Sequence, residues 1–283
     1  MSDYVFIADA FIEQIVGGGE LNNEELIHIL RSRGHSVSKK LSFQVTPAFL
    51  EESGDKNFII GNFIGLNPQS KVKFEESDFL KYVIYEHDHK YLISRNPAHY
   101  KDYKAPKSEI INQKFYKKSK RVLCQTSFHK SIIEKNLSLK NIKSVGGNLW
   151  SEDILDYLSG LSKLPREETV AIMDSPIEHK NTYGAVKFCE YNSIPYKLIP
   201  KMPYKEFLRE MSKNKKLAFF PKTPETCSRI LVESRMANMG VFTNNKCGAK
   251  YEEWFSMRGD DLIQKVFQMR ESIVDIVEES YEK

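Results

Sequence analysis

The chain has 283 residues, 41% hydrophobic and 28% charged, with a formal net charge of +4 at pH 7. Such proportions are ordinary for a soluble globular protein of one large or two modest domains. The longest near-apolar run, residues 58–66, is broken by Gly61, Asn62 and Gly65 and is far too short to span a bilayer. The mild positive charge permits an anionic ligand or loose contact with an acidic membrane surface and demands neither. Cys124, Cys189, Cys227 and Cys247 are scattered, without a C-x-x-C pair or a zinc-type Cys/His spacing. They read as reduced thiols of a cytosolic protein. The start Met1-Ser2-Asp3-Tyr4 lacks the basic and apolar regions of a signal peptide. The expected location is therefore the cytoplasm, with peripheral contact at the inner face of a membrane as the most that is allowed.

In chain order, residues 4–8 are an apolar, β-prone run that ends at Asp9 and reads as a buried strand. Gly17-Gly18-Gly19 follows, then a helix over 20–33 with Leu21, Leu26, Ile29 and Leu30 on one face. Gly34 closes that helix, and 35–41 reads as a second strand. Strand, glycine loop, helix and strand form a βαβ unit, which implies a parallel sheet. Further strands are expected at 58–63, 82–85 and 121–125, the last leading into a helix over 127–136. Ser144 to Asn148, with Gly146-Gly147, closes this half, and 91–118 reads as an irregular binding loop with short helices.

A second α/β series begins near Glu168. Strands are expected at 169–173, 196–199, 217–220 and 241–243. Helices are expected at 183–192, 204–213 and 228–239, the last capped by Gly240. The polar segment 149–166 reads as a linker with helical pieces, and 260–279 as one or two amphipathic helices. Two successive series predict two Rossmann-like lobes with a cleft between them. Ligands of such sheets sit at the C-terminal ends of strands.

Four groups of residues carry candidate chemistry. Gly17-Gly18-Gly19-Glu20 can bring backbone close to a diphosphate at a helix start, or can be a flexible turn. It fails the G-x-G-x-x-G pattern because Asn22 stands at the third glycine position, and Ser36-Val37-Ser38-Lys39-Lys40 offers no ribose acid, so NAD is not expected. Glu225 and Glu233 lie eight residues apart across a loop and helix start. They suit the hydroxyls on either side of a diphosphate. On spacing alone, a helix-start acid and an exposed helix acid are the simpler explanation, because acids near helix starts are common. Tyr85-Glu86-His87-Asp88-His89 follows a strand. A His-x-His pair there suggests a metal, but no third ligand is evident. One imidazole lining the cleft, oriented by Glu86 or Asp88, is the alternative. Lys180, before the helix near Tyr183, is a phosphate clamp or a surface lysine.

In order along the chain, these residues resemble the retaining GT-B glycosyltransferases of the family 4 type. The resemblance rests on Gly17-Gly18-Gly19-Glu20, Gly34-His35-Ser36-Val37, the histidines after Glu86, Lys180-Asn181 where the family has Lys-Gly, and Pro224-Glu225-Thr226-Cys227-Ser228-Arg229-Ile230-Leu231-Val232-Glu233, an E-x7-E pattern. It implies an α/β chain of two Rossmann-like lobes. Residues 1–149 would form the acceptor lobe and 150–256 the donor lobe, with 257–283 a helical segment crossing back to the first. It implies a hexosyltransferase that moves a sugar from a nucleotide-diphosphate sugar to a glycan, lipid or small molecule. Transfer would retain configuration through a front-face step, with no metal and no cofactor. Glu225 would hold the donor sugar, Glu233 the ribose, and Gly18, Gly19, Lys180, Thr226, Cys227 and Ser228 the diphosphate. The main chain at Met202 would read the base, and His87 or His89 would contact the sugar. A nucleic-acid partner is not expected, since Lys117-Lys118-Ser119-Lys120-Arg121 and Lys213-Asn214-Lys215-Lys216 read as solvated faces.

Two features depart from the family. The arginine that often precedes the lysine is missing from Met173-Asp174-Ser175-Pro176. The chain is also short for two full lobes. Both motivate an alternative, a weak or inactive scaffold that keeps the fold and the nucleotide-sugar site.

Overall fold

A computed structural model describes residues 2–282. Its contacts divide the chain into one unit of Met1–Leu149 with Met269–Lys283 and another of Trp150–Gln268.

The first unit holds a six-stranded sheet of β1 (Asp3–Ala8), β2 (Ser36–Leu41), β3 (Asn57–Ile60), β4 (Lys81–Glu86), β5 (Arg121–Cys124) and β6 (Ile142–Ser144). Their order is β2-β1-β3-β4-β5-β6, and every neighbouring pair is parallel. All C-terminal strand ends therefore share one edge. β1 and β4 are nearly continuous apolar runs buried from their second residue onward, as strands covered on both faces must be. The helices are α1 (Gly18–Ser32), α2 (Pro47–Glu52), α3 (Pro68–Glu76), α4 (Gln113–Lys118) and α5 (Ser127–Asn136).

α1 ends as its glycine predicts. Gly34 takes φ +86°, its N–H donates to Arg31 O at 3.0 Å, and His35 N–H donates to Leu30 O at 3.1 Å. These two bonds are the Schellman pair. The core beneath is aromatic: Phe58, Phe74, Tyr82 and Phe115 are fully buried. The Tyr82 and Phe115 rings stack at 5.0 Å. Each such side chain contributes about 1.5–3 kcal/mol by leaving water.

The second unit is smaller. β7 (Glu167–Met173), β8 (Tyr196–Ile199), β9 (Asn214–Phe219) and β10 (Gly240–Thr243) form a parallel sheet in the order β10-β9-β7-β8. α6 (Glu152–Ser162), α7 (Thr182–Tyr191), α8 (Tyr204–Ser212) and α9 (Arg229–Met236) accompany it. α10 (Gly259–Glu279) is one continuous helix whose residues from Met269 onward belong to the first unit. There it buries Ile273, Val274 and Val277. Arg33 binds its acids Asp275 at 2.8 Å and Glu278 at 2.5 Å. Among the described residues, no helix is long and apolar enough to cross a membrane.

Several sequence expectations are corrected. The supposed linker 149–166 contains α6, which buries Ile154, Leu155, Leu158 and Leu161 as an integral layer of the second unit. The first half closes on β6, a strand that was not anticipated, and Gly146-Gly147 follows it. Gly240 does not cap α9 but opens β10; Asn238, at φ +62°, makes the turn. α2 and α3 were not anticipated, although Thr46-Pro47 and Asn67-Pro68 are N-cap and N1 pairs. Thr46 accepts from Phe49 N and Asn67 from Gln69 N.

Candidate functional site

Within the first unit, Gly17 is the N-cap of α1 and brings no side-chain acceptor to it. The amides of Gly18 and Gly19 in the first turn are then suited to an anion. None of the three glycines needs a left-handed φ. What matters at Gly19 is proximity: a Cβ there would lie 3.7 Å from the His87 ring. His87 accordingly stands beside the glycine turn. Its Nε2 is 2.6 Å from Asn23 Oδ1, and Gln125 Nε2 bonds its Nδ1.

His89 goes elsewhere. β4 ends at Glu86, so the two histidines do not share a strand face. His89 is buried edge-on to Tyr91 and His129. The orienting acids expected for His87 are also engaged otherwise. Buried Glu86 bonds the Lys90 ammonium and the Tyr116 hydroxyl, and Asp88 bonds the Arg95 guanidinium, with Nε at 2.6 Å. Lys90 and Arg95 hold the Asp88 carboxyl below its usual range even though burial works against them. Asn23 and Gln125 are thus the residues that sequence reasoning missed. Asn23 was findable as a buried-face amide one turn after Gly19. Among the described residues, no group of three or more His, Cys, Asp or Glu is arranged to hold a metal ion.

Within the second unit, the strand ends gather Lys180 and Glu225. Lys180 Nζ donates to Glu225 Oε1 at 2.8 Å, and the two side chains are 25% and 17% exposed. A partly open ion pair can exchange its partners for a ligand. Glu225 is fixed through its backbone: its N–H donates to Lys246 O at 2.7 Å, and its carbonyl accepts from Gly248 N at 2.9 Å. Two residues near the pair have left-handed backbone, Asn181 at φ +58° and Ser228 at φ +77°. Asparagine is among the few non-glycine residues that tolerate this conformation. Asn181 can therefore hold this turn without a glycine. Its side chain donates to Phe220 O at 2.8 Å and caps α7 through Gly184 N. Ser228 is the N-cap of α9 and makes no side-chain cap bond.

Thr226 is half-buried and Cys227 fully buried between Glu225 and α9. Burial pushes the Cys227 thiol well up, so its candidate contribution is its amide and not a thiolate. Burial also pushes Cys247 up to about 12, against the Thr243 hydrogen bond. The acid Asp174, just after β7, is exposed.

Glu233 has partners of its own, distinct from those of Glu225. It is buried, and one oxygen accepts from Trp150 Nε1 at 2.9 Å and Tyr204 hydroxyl at 2.6 Å, with Arg229 Nε at 3.3 Å. The Arg229 guanidinium lies 4.4 Å over the Trp150 ring. Burial first, and then the Glu233 charge, raise the Tyr204 pKa, so this phenol is a fixed donor. Met202 is half-buried just before Pro203, the N-cap of α8, and α8 brings Tyr204 to Glu233. Trp150, Tyr204 and Arg229 were not anticipated. Arg229, at i,i+4 from Glu233, was the only one with a local signal.

No family model matches the chain, and no curated protein matches it. Solved structures do. HepE of Anabaena, in complex with UDP-glucose, is 12% identical, with a TM-score of 0.57 over 97% of this chain and 93% of that one. The catalytic domain of starch synthase IV from Arabidopsis thaliana, bound to ADP and acarbose, is 10% identical, with a TM-score of 0.59 over 99% and 98%. An alpha-glucosyltransferase in complex with UDP and a 13-mer DNA is 11% identical, with a TM-score of 0.53 over 97% and 94%. The fold is GT-B. Its two parallel-sheet α/β lobes are the two units described above, and the GT-B likeness is one of architecture, not of residue identity.

Proposed function

We propose that this protein is a hexosyltransferase of the family 4 type, moving a sugar from a nucleotide-diphosphate donor with retention of configuration. What carries the proposal is the Lys180–Glu225 pair at the C-terminal edge of the second sheet, beside the N-terminus of α9, in a fold whose neighbours hold UDP-glucose or ADP. Glu225 accepts hydroxyls of the donor sugar. Lys180 turns from Glu225 to the diphosphate, joined by the amides of Thr226, Cys227 and Ser228; the amides of Gly18 and Gly19 are the anion-binding candidates of the first unit. Within the first unit His87, held by Asn23 and Gln125, is the imidazole suited to a sugar, rather than the buried His89. Glu233 meets the ribose and Met202 the base. Lys180 and the helix-start amides stabilise the leaving diphosphate, so departure requires no metal. One neighbour carries acarbose and another DNA, so the fold leaves the acceptor class open. A salt-sensitive shift of DNA would reopen the nucleic-acid partner set aside on sequence.

Calorimetry with UDP, ADP, GDP and dTDP is the test. One of them binds, and Lys180→Ala weakens it about tenfold; no binding by any of the four overturns the proposal. A donor-binding scaffold is the second reading. It is favoured by the prior engagement of Glu233 with Trp150, Tyr204 and Arg229. Product mass after donor incubation separates the two, since a scaffold binds nucleotide and yields no product.

A further inference from the structure

In the first unit, exposed apolar side chains gather on the loops that follow four neighbouring strands. Ile15 and Val16 follow β1, Phe43 follows β2, Ile64 follows β3 and Ile93 follows β4, and each is more than half exposed. Exposed apolar residues scattered singly need no explanation, but a contiguous set does. Because the four strands are parallel, these loops lie along one edge of the sheet.

Hydrogen bonds hold the set in place. Asp9, at the end of β1, accepts from Ile64 N at 3.0 Å, from Gly65 N at 2.9 Å and from the Ser42 hydroxyl. It thereby ties the loops bearing Phe43 and Ile64 to β1. Gly65 packs so closely that a Cβ would meet Ser42 Oγ at 2.8 Å and Phe43 Cβ at 3.7 Å. On the β4 side, Leu92 and Ile110 form an antiparallel bridge, and Ile111 N donates to Tyr91 O at 2.8 Å. Ile64, Ile93 and Ile111 then line one cavity of about 220 Å³ with Phe63, Lys71 and Arg95.

The cations there are not equivalent. Lys90 is paired with Glu86, and Arg95 with Asp88. Lys71 has no carboxylate within ion-pair distance among the described residues; Glu75, one turn on, reaches Lys114 instead. Lys71 Nζ donates to Asn112 Oδ1 at 2.9 Å and lies 5.6 Å from the Phe63 ring. Burial depresses its pKa, with Glu75 only partly opposing. The cavity thus withholds water from a cation without supplying an anion, which an anionic ligand would correct.

We propose that this edge binds a lipid phosphate presented by a bilayer, its phosphate at Lys71 and its hydrocarbon along Ile64, Ile93 and Phe43. A free phosphate makes no use of the isoleucine rim, and a neutral chain makes none of Lys71. Together they match an amphiphile with one anionic head. None of this depends on the second unit. Only the further step, that the bound lipid is the sugar acceptor, rests on the transfer proposed above.

The test is flotation of the full chain with vesicles of phosphatidylcholine alone or with added phosphatidic acid. Wild type binds only the second kind. The double variant Ile64→Asp/Ile93→Asp loses about tenfold or more in binding, and Lys71→Met several-fold. The double variant keeps the wild-type melting temperature, since the isoleucines are exposed. Inorganic phosphate at equal concentration leaves binding in place. Overturning results are no vesicle binding, equal binding by the double variant, or displacement by inorganic phosphate. Nucleotide calorimetry on the same samples keeps the two proposals apart. Vesicle binding without nucleotide binding sinks the transfer proposal and leaves this one standing.

Discussion

The ends of β4 and β9 face the same architectural problem and solve it differently. Both are parallel strands followed by acidic and basic residues. After β4, the charges are consumed internally. Glu86 and Lys90 are almost wholly buried against each other, and Asp88 is held by Arg95. After β9, Glu225 meets Lys180 in a pair that is still partly open, with left-handed backbone at Asn181 and Ser228 around it. Charge buried in a satisfied network positions its surroundings, whereas charge left half-solvated can be transferred to a ligand. The β4 end is therefore built as scaffold, and under the function proposed above the β9 end is the place for chemistry.

Breaking the scaffold should have the largest effect. Glu86→Ala strands Lys90 in the core and is expected to cost about 3–5 kcal/mol of stability, read from the urea midpoint. A loss below about 1 kcal/mol, the size of an exposed pair, would mean that this end is as open as the other. At the β9 end the expectation reverses. Glu225→Ala should lower kcat about 10²–10³-fold while the melting temperature barely moves. Lys180→Met comes next, with about tenfold weaker nucleotide binding and little change in stability, because its ion pair is partly solvated. A large fall in stability for either variant would erase the contrast.

Two smaller effects sharpen it. Gly34→Ala forces a Cβ into φ +86° with nothing within 4 Å to clash. Its cost of about 1–2 kcal/mol is therefore purely conformational. A neutral result by thermal melting would remove the Schellman turn from the account. Finally, burial, and next the nearby His89, hold the His129 imidazole well below its usual pKa; Lys90 pushes the same way, while Asp88 opposes. The ring is bonded as a neutral one, with Nδ1 accepting from Gln125 N at 3.3 Å and Nε2 3.0 Å from Asp88 O. A folded pKa below the unfolded value means that the unfolded chain binds more protons. Stability is then full above about pH 6.5 and falls as pH drops toward the folded pKa. His129→Gln should flatten the slope of stability between about pH 7 and 5, measured by urea melts across that range.

Much of the fold was legible because its signals are local. Residues 4–8 and 82–85 are apolar runs that only a two-sided burial explains, and Gly34 marks a helix end by the backbone it permits. α6 was misjudged as a linker because its acids, Glu152, Asp153 and Asp156, dilute a buried stripe of Ile154, Leu155, Leu158 and Leu161. At the site, Lys180 and Glu225 could be nominated one by one, yet their pairing joins residues 45 positions apart.

By itself, then, the sequence determined two parallel α/β series, the end of α1 at Gly34 and a short set of polar candidates, since periodicity and turn residues act over a few positions. Tertiary structure alone decided which candidates remain free. Glu233 is claimed by Trp150 from 83 residues away, and His87 by Asn23 from 64 residues away. A buried polar group takes whichever partner the packed chain brings within about 3 Å, and no local pattern encodes that choice.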